Sequence, residues 1–153
     1  MVAVDDDFQV RESIESLVES AGYRSSVFSS AEEFLASGKL TDAACLITDV
    51  RMPGMSGVEL QRRIRIERPA LPIIFITAHY DEEVRQRALN EGAAVFMYKP
   101  FGPSDLLSAI DRVLSVQAHL EVVCWLPIAW QPAGGREGRG KRGSNRQRPV
   151  YGW

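Results

Sequence analysis

The 153-residue chain has little cysteine and no long apolar run, and both shortages limit what it can be. Its two cysteines are Cys45, inside an apolar stretch, and Cys124, so neither a disulfide framework nor a cysteine metal site is expected. No apolar run approaches the roughly 18 residues of a membrane-spanning helix. The amino terminus also lacks a basic segment followed by an apolar run, the pattern of a secretory signal. We therefore expect a cytoplasmic protein without a membrane partner.

Charge is distributed unevenly along the chain. Residues 1–121 carry 12 Lys and Arg against 19 Asp and Glu, a net charge of −7, whereas residues 122–153 carry six against one, a net charge of +5. The chain as a whole is 45% hydrophobic and 25% charged, which is ordinary for a globular protein with a core. We predict one domain over residues 1–121 and a separate basic tail over residues 122–153.

The predicted tail does not continue the pattern of the domain. Val122–Trp130 is apolar, has no helical period and is interrupted by Pro127, and Gly134–Gly143 is rich in glycine and arginine. This composition is typical of an irregular, disordered segment. Basic and aromatic residues would allow weak nucleic-acid binding. The tail is too short and too poorly patterned for a helix-turn-helix domain, so we expect no sequence-specific DNA binding by this chain.

Strand and helix patterns alternate five times along the domain. The predicted strands are Val2–Val4, Tyr23–Phe28, Ala44–Ile47, Pro72–Thr77 and Ala94–Tyr98. Ser30 and Ser56, each followed three residues later by Glu, are the capping boxes of two helices. Such alternation with short links predicts an α/β fold with a doubly wound, five-stranded parallel sheet. The flavodoxin-like strand order 2-1-3-4-5 is favoured.

Polar residues follow four of these strands at their carboxyl ends. They are Asp5 and Asp6, Asp49, Thr77 and Lys99. In the order 2-1-3-4-5 these strands are neighbours, so the side chains converge on the edge where open α/β sheets bind ligands. Oxygen ligands around an open site suit Mg²⁺, and the lysine supplies a positive charge. Each residue alone has an ordinary interpretation, but the set favours phosphoryl transfer to a carboxylate.

Four motifs in this order resemble the receiver domain of two-component response regulators. The motifs are Val4–Asp7, Ile47–Gly57, Ile76–His79 and Lys99–Phe101. The spacings from Asp6 to Asp49, on to Thr77 and on to Lys99 are 43, 28 and 22 residues. The resemblance covers about residues 1–118 and is strongest to receivers that precede a helix-turn-helix output domain. It implies the receiver fold and a phosphorylation-controlled signalling switch.

The resemblance also implies roles for individual residues. Asp49 would accept the phosphoryl group from a sensor histidine kinase or a small phosphodonor. Asp6, Asp49 and the backbone carbonyl of Arg51 would bind Mg²⁺ directly, and Asp5 would act mainly through water. The chain would be no enzyme beyond assisting its own phosphorylation and dephosphorylation.

Two further residues would bind the phosphoryl oxygens, namely Thr77 and Lys99. Phe96 matches the aromatic position that turns inward when Thr77 moves, and the Lys99–Pro100 bond is expected to be cis. The surface changed by this movement would bind a partner protein or form a phosphorylation-dependent homodimer. Tyr80 departs from the small residue common in similar sequences, and its ring would narrow access to the site.

Two other functions fit part of the pattern. A Mg²⁺-dependent phosphatase with an aspartyl nucleophile usually has a second Asp two residues later, as general acid, but that position here is Arg51. A flavin-binding module of the same topology needs hydroxyls and glycines after the first strand to hold a phosphate. Asp5–Asp7 would repel a phosphate there.

Overall fold

A computed structural model describes the backbone of residues 1–124 and the side chains of residues 1–118. The strands are β1 (Val2–Val4), β2 (Ser26–Phe28), β3 (Leu46–Thr48), β4 (Ile73–Thr77) and β5 (Val95–Tyr98). The helices are α1 (Phe8–Ser20), α2 (Ala31–Ala36), α3 (Gly57–Glu67), α4 (Glu82–Asn90) and α5 (Pro103–Cys124). All strand pairs are parallel and the order is β2-β1-β3-β4-β5. The predicted fold class and strand order are confirmed.

Two helix starts test the predicted capping boxes. At α3 the box is complete, because Ser56 accepts from the Glu59 N–H and the Glu59 carboxylate accepts from the Ser56 N–H. At α2 the Ser30 hydroxyl accepts from the Glu33 N–H, but the Glu33 carboxylate accepts from the N–H and hydroxyl of Ser29. The capping box at α2 is therefore only half formed, because the Glu33 carboxylate bonds to the residue before Ser30 instead of to Ser30 itself.

The core lies on both faces of the sheet. Ile73 and Phe75 of β4 pack on the face covered by α2, α3 and α4, whereas Ile74 and Ile76 pack on the face covered by α1 and α5. All four side chains are buried. Burial on both faces explains why this strand is a continuous apolar run rather than an alternating one. The same packing holds the carboxyl ends of the central strands in fixed positions.

Helix α5 runs through the predicted domain boundary. It continues to Cys124, three residues past the predicted domain boundary at residue 121. The rest of the predicted tail, with its expected disorder, lies outside the described residues. Within residues 1–124, no helix is both long and apolar enough to cross a membrane.

Candidate functional site

Three carboxylates meet at the carboxyl edge of the sheet. Val4 of β1 pairs with Thr48 of β3, so the residues that follow, Asp5 and Asp49, lie side by side. One oxygen from each of Asp5, Asp6 and Asp49 lies within 4.8 Å of the others. Asp5 and Asp49 are only 1% and 7% exposed, whereas Asp6 is open to solvent. The predicted carboxylate cluster is present, with two buried members and one at its mouth.

Lys99, which directly follows β5, places one positive charge between the two buried carboxylates. Its Nζ donates to Oδ2 of Asp5 at 2.8 Å and to Oδ2 of Asp49 at 2.9 Å. Burial raises the pKa of Asp5, although hydrogen bonds from Lys99 and from the Asp7 N–H oppose this rise. Burial lowers the pKa of Lys99, but its bonds to the two carboxylates outweigh this effect and hold the pKa above its usual value. The lysine is therefore a charged bridge.

The remaining carboxylate oxygens are oriented by the backbone. The Asp7 N–H donates to Asp5 Oδ1 at 2.8 Å, and the Arg51 N–H donates to Asp49 Oδ1 at 3.1 Å. Arg11 adds a contact that the sequence did not suggest, since its Nη1 donates to the Asp5 carbonyl oxygen at 2.6 Å. Its place in the first turn of α1 is the only signal for that role. Both acids are thus held before any ligand binds.

Thr77 ends β4 beside this cluster and is 1% exposed. Its Oγ1 accepts a hydrogen bond from the His79 N–H at 3.2 Å, and its carbonyl accepts from the Lys99 N–H at 2.7 Å. Among the described hydrogen bonds, none joins the Thr77 hydroxyl to the carboxylates or to the Lys99 ammonium. The structure therefore places Thr77 at the site, with its hydroxyl bonded within its own loop.

Phe96 belongs to a row of aromatic rings that extends from the core to the surface. Its centroid lies 5.8 Å from that of buried Phe75 and 5.6 Å from that of Tyr98. Tyr98 in turn stacks on Tyr80, with centroids 4.1 Å apart and planes inclined by 15°. Tyr80 is 80% exposed. This stack ties the loop that follows Thr77 to β5.

Two backbone features shape the loops around the site. The Lys99–Pro100 bond is cis, as the resemblance implies. Gly57, the first residue of α3, leaves no room for a side chain, because a Cβ there would lie 2.0 Å from the Asp49 carbonyl oxygen. It would also lie 3.0 Å from Cε1 of Phe75. The close approach of α3 to the Asp49 backbone therefore requires glycine at this position.

The donor set determines which ligands the site can hold. The three clustered side chains offer only carboxylate oxygens, the ligands that Mg²⁺ prefers. Thiolate and imidazole ligands, which favour Zn²⁺, are absent from this cluster. The half-buried Lys99 ammonium has the charge needed to bind phosphoryl oxygens. A divalent cation and a phosphoryl group fit this edge of the sheet.

Comparisons with known proteins give one consistent family. Residues 1–111 match the model of the response regulator receiver domain. The chain is 45% identical over 113 residues to the response regulator protein TmoT of Ectopseudomonas mendocina, covering 74% of this chain and 51% of that protein. It is 39% identical over 116 residues to the transcriptional regulatory protein FixJ of Azorhizobium caulinodans, covering 76% of this chain and 55% of that protein.

Solved structures agree with the sequence matches. The response regulator StyR is 41% identical, with a TM-score of 0.72, over 80% of this chain and 62% of that one. A CheY-like receiver domain protein from Methanospirillum hungatei is 31% identical, with a TM-score of 0.72, over 77% of this chain and 94% of that one.

The chain spans about half the length of the curated relatives it matches. None of these matches supports the phosphatase alternative. The chain therefore belongs to the response regulator receiver domain family, whose members are phosphorylation-controlled signalling switches.

Proposed function

We propose that Asp49 is the residue of this switch that accepts the phosphoryl group. The observation that carries the proposal is the double bridge from Lys99 to Asp5 and Asp49 at a solvent-open edge of the sheet. Asp49 retains enough exposure, 7%, to be reached by a donor, whereas Asp5 is almost fully enclosed at 1%. Asp6 is exposed but lacks the lysine contact in the described structure. Asp49 alone combines access with the bridging cation.

The proposed reaction is a displacement at phosphorus. A carboxylate oxygen of Asp49 forms a new O–P bond while the N–P bond to a kinase histidine, or the O–P bond of a small acyl phosphate, breaks. The leaving group keeps the bonding electron pair. Lys99 would stabilise the charge on the transferred oxygens, and the Arg51 N–H keeps the nucleophile oriented.

The carboxylate cluster is the proposed binding site for Mg²⁺. Asp6, Asp49 and the Arg51 carbonyl would hold the ion directly, and Asp5 through water. When bound, the ion would neutralise negative charge shared by the acids and the incoming phosphoryl group. Asp5 fits an indirect role, because it is the more enclosed of the two buried acids, with an exposed fraction of 1% against 7% for Asp49.

The output of the switch would begin at Thr77. Its hydroxyl would leave the His79 N–H and donate to a phosphoryl oxygen, and Phe96 would occupy the space that it leaves. Phosphorylation adds a charge of about −1.5 to −2 at this edge. The surface formed by α4, β5 and α5 would then change shape and bind a partner protein or a second copy of the chain.

The proposed setting is a cytoplasmic two-component system in which a sensor histidine kinase is the phosphodonor. The chain would perform no enzymatic reaction other than assisting its own phosphorylation and dephosphorylation. Residues 1–121 would form the receiver and residues 122–153 a basic tail, whose first three residues continue α5. Because the sequence of that tail lacks the pattern of a helix that could enter a major groove, this chain would not bind DNA sequence-specifically.

Mass spectrometry of the intact protein tests the acceptor. Incubation with Mg²⁺ and a small acyl phosphate should add one phosphoryl group to wild type and none to Asp49→Asn. Asp42→Asn is the matched control, because it makes the same change at an exposed acid outside the cluster and should be phosphorylated normally. Phosphorylation of Asp49→Asn at wild-type yield would show that another residue is the acceptor.

A further inference from the structure

An apolar groove lies at the edge of the sheet opposite the carboxylate cluster. It has a volume of about 680 Å³ and lies between the middle of α5 and the loops that precede β4 and β5. Its apolar lining includes Pro69, Leu71, Pro72, Val113 and Val116. This volume is in the range of sites that bind drug-sized ligands or several side chains. The groove therefore needs an occupant or remains exposed apolar surface.

Val116 marks the open side of this groove. It is 58% exposed, one of only four large apolar side chains that are strongly exposed among the described residues. The nearby Arg65 does not make the groove polar, because its guanidinium donates to the carbonyls of Pro69, Leu71 and Gly92. Its charged end is thus already engaged with backbone, and its stem is left to line the groove. Asn90, Glu91, Arg112 and Gln117 also line the groove, and its apolar side chains are the part that an apolar partner would contact.

The chain itself supplies such a partner directly after α5. Residues 125–130 read Trp-Leu-Pro-Ile-Ala-Trp, a run without a charged residue in an otherwise basic tail. Pro127 cannot continue a helix, and it disfavours helical geometry at Leu126. The chain is therefore expected to change direction within this run. Left in water, its two indole rings and two aliphatic side chains would be a large exposed apolar patch.

The distances allow this run to reach the groove. From Val116 to the end of α5 at Cys124 is eight residues, about 12 Å along a helix. Six residues in extended conformation span up to about 20 Å. We propose that residues 125–130 fold back along α5 and bind in the groove beside Val116 in the same molecule. The segment would cover the edge of the sheet that faces away from the carboxylate cluster.

Tryptophan fluorescence gives a direct test, because all three tryptophans, Trp125, Trp130 and Trp153, lie beyond the described residues. A Trp153→Phe background leaves only the two reporters of the proposed segment. In the folded chain their emission should be blue-shifted relative to the urea-unfolded chain, and acrylamide should quench it several-fold less efficiently. Equal emission and equal quenching in the two states would overturn the proposal.

Paired substitutions connect the signal to the groove. Val116→Asp should shift emission to the red and restore quenching, since it places a carboxylate at the binding surface. Ile66→Asp is the matched control, because Ile66 is 84% exposed on α3 and does not line the groove. It should leave the emission unchanged, and circular dichroism should show that both variants are folded. An identical response of the two variants would contradict docking at this site.

Two further measurements identify the occupant. Ile128→Asp changes only the segment and should have the same effect as Val116→Asp, so the test does not depend on one groove variant. Dilution should leave the emission of the parent chain constant if the contact is intramolecular. A red shift on dilution would instead show that two copies exchange segments, and the proposal of docking within one molecule would be wrong.

Discussion

Replacing Lys99 by methionine should expose the electrostatic cost of the carboxylate cluster. The substitution keeps most of the apolar stem and removes the ammonium that bonds to Asp5 at 2.8 Å and to Asp49 at 2.9 Å. The two carboxylate side chains are only 2% and 10% exposed, so water replaces the ammonium poorly. The unfolded chain gains no comparable penalty. The repulsion between the two carboxylates therefore destabilises only the folded state of the variant.

The size of the effect follows from the distances. Oxygens of the clustered acids lie within 4.8 Å of one another, and two unit charges at that separation repel by about 3 kcal/mol at an effective dielectric constant near 20. Removing one partner of a buried ion pair typically costs about 3–5 kcal/mol. We therefore expect Lys99→Met to lower the free energy of unfolding by about 3 kcal/mol at neutral pH without Mg²⁺.

Urea unfolding measures this loss, and three conditions should reduce it. Mg²⁺ should restore stability by occupying the charge cluster, and Asp5→Asn in the Lys99→Met background should restore it by removing one charge. Lower pH should also raise the stability of the Lys99→Met variant. Burial raises the folded-state pKa of Asp5 above the unfolded value, and loss of the Lys99 ammonium removes a hydrogen bond that opposes this rise. The folded variant therefore binds more protons than the unfolded chain as pH falls from 7 towards 5, and its relative stability rises.

Lys39→Met is the matched control for this prediction. Lys39 is an exposed lysine outside the site, and its substitution should change the free energy of unfolding by no more than about 0.5 kcal/mol. The electrostatic reasoning is refuted if Lys99→Met is as stable as the Lys39 variant. It is also refuted if the loss remains the same with Mg²⁺ and with Asp5→Asn.

Three other perturbations test separate parts of the structure. Gly57→Ala should lower the free energy of unfolding in urea by about 1–3 kcal/mol, because the added methyl group meets the Asp49 carbonyl. Gly38→Ala has open space for the methyl group but a φ of 72°, and it should lower the same free energy by about 1 kcal/mol. Burial raises the pKa of Cys45 from 9.0 to about 12. As pH rises from about 9 to 11, only the thiol of the unfolded chain ionises, so the free energy of unfolding of wild type should fall by about 2 kcal/mol relative to that of Cys45→Ala. Thr77→Ala should accept the phosphoryl group yet show weaker phosphorylation-dependent dimerisation by size-exclusion chromatography, and full dimerisation would refute its proposed coupling.

The sheet and the site were predictable because both depend on local patterns and strand order. The apolar run Ile73–Ile76 indicates a buried parallel strand by composition alone, and the confirmed order of strands brings Asp5 next to Asp49. The contact of Lys99 with both acids was predictable for the same reason, because β5 ends at the same edge of the sheet as β1 and β3. The start of β2, predicted at Tyr23 and found at Ser26, was less predictable, because pairing with β1 determines where the strand begins.

The roles of individual arginines were not predictable from the sequence. Arg65 on α3 and Arg68 just after its last residue would ordinarily face solvent, yet each donates to backbone carbonyls of neighbouring loops. Gln61, on the same helix, is fully buried; its Nε2 donates to the Ala88 carbonyl, and among the described residues its Oε1 has no partner. Helical spacing cannot distinguish such contacts from hydration. These contacts are decided by the loops and the helix α4 that pack around α3.

The proposed switch can have two states because Lys99 is connected to two different groups. Its ammonium holds the acids, while its backbone N–H donates to the Thr77 carbonyl at 2.7 Å. A phosphoryl group on Asp49 would compete for the ammonium and offer the Thr77 hydroxyl a new acceptor. Movement of that loop would also disturb the stack of Tyr80 on Tyr98. Phosphorylation can therefore shift the equilibrium only by the amount by which its new contacts exceed the bond to His79 and this aromatic stack.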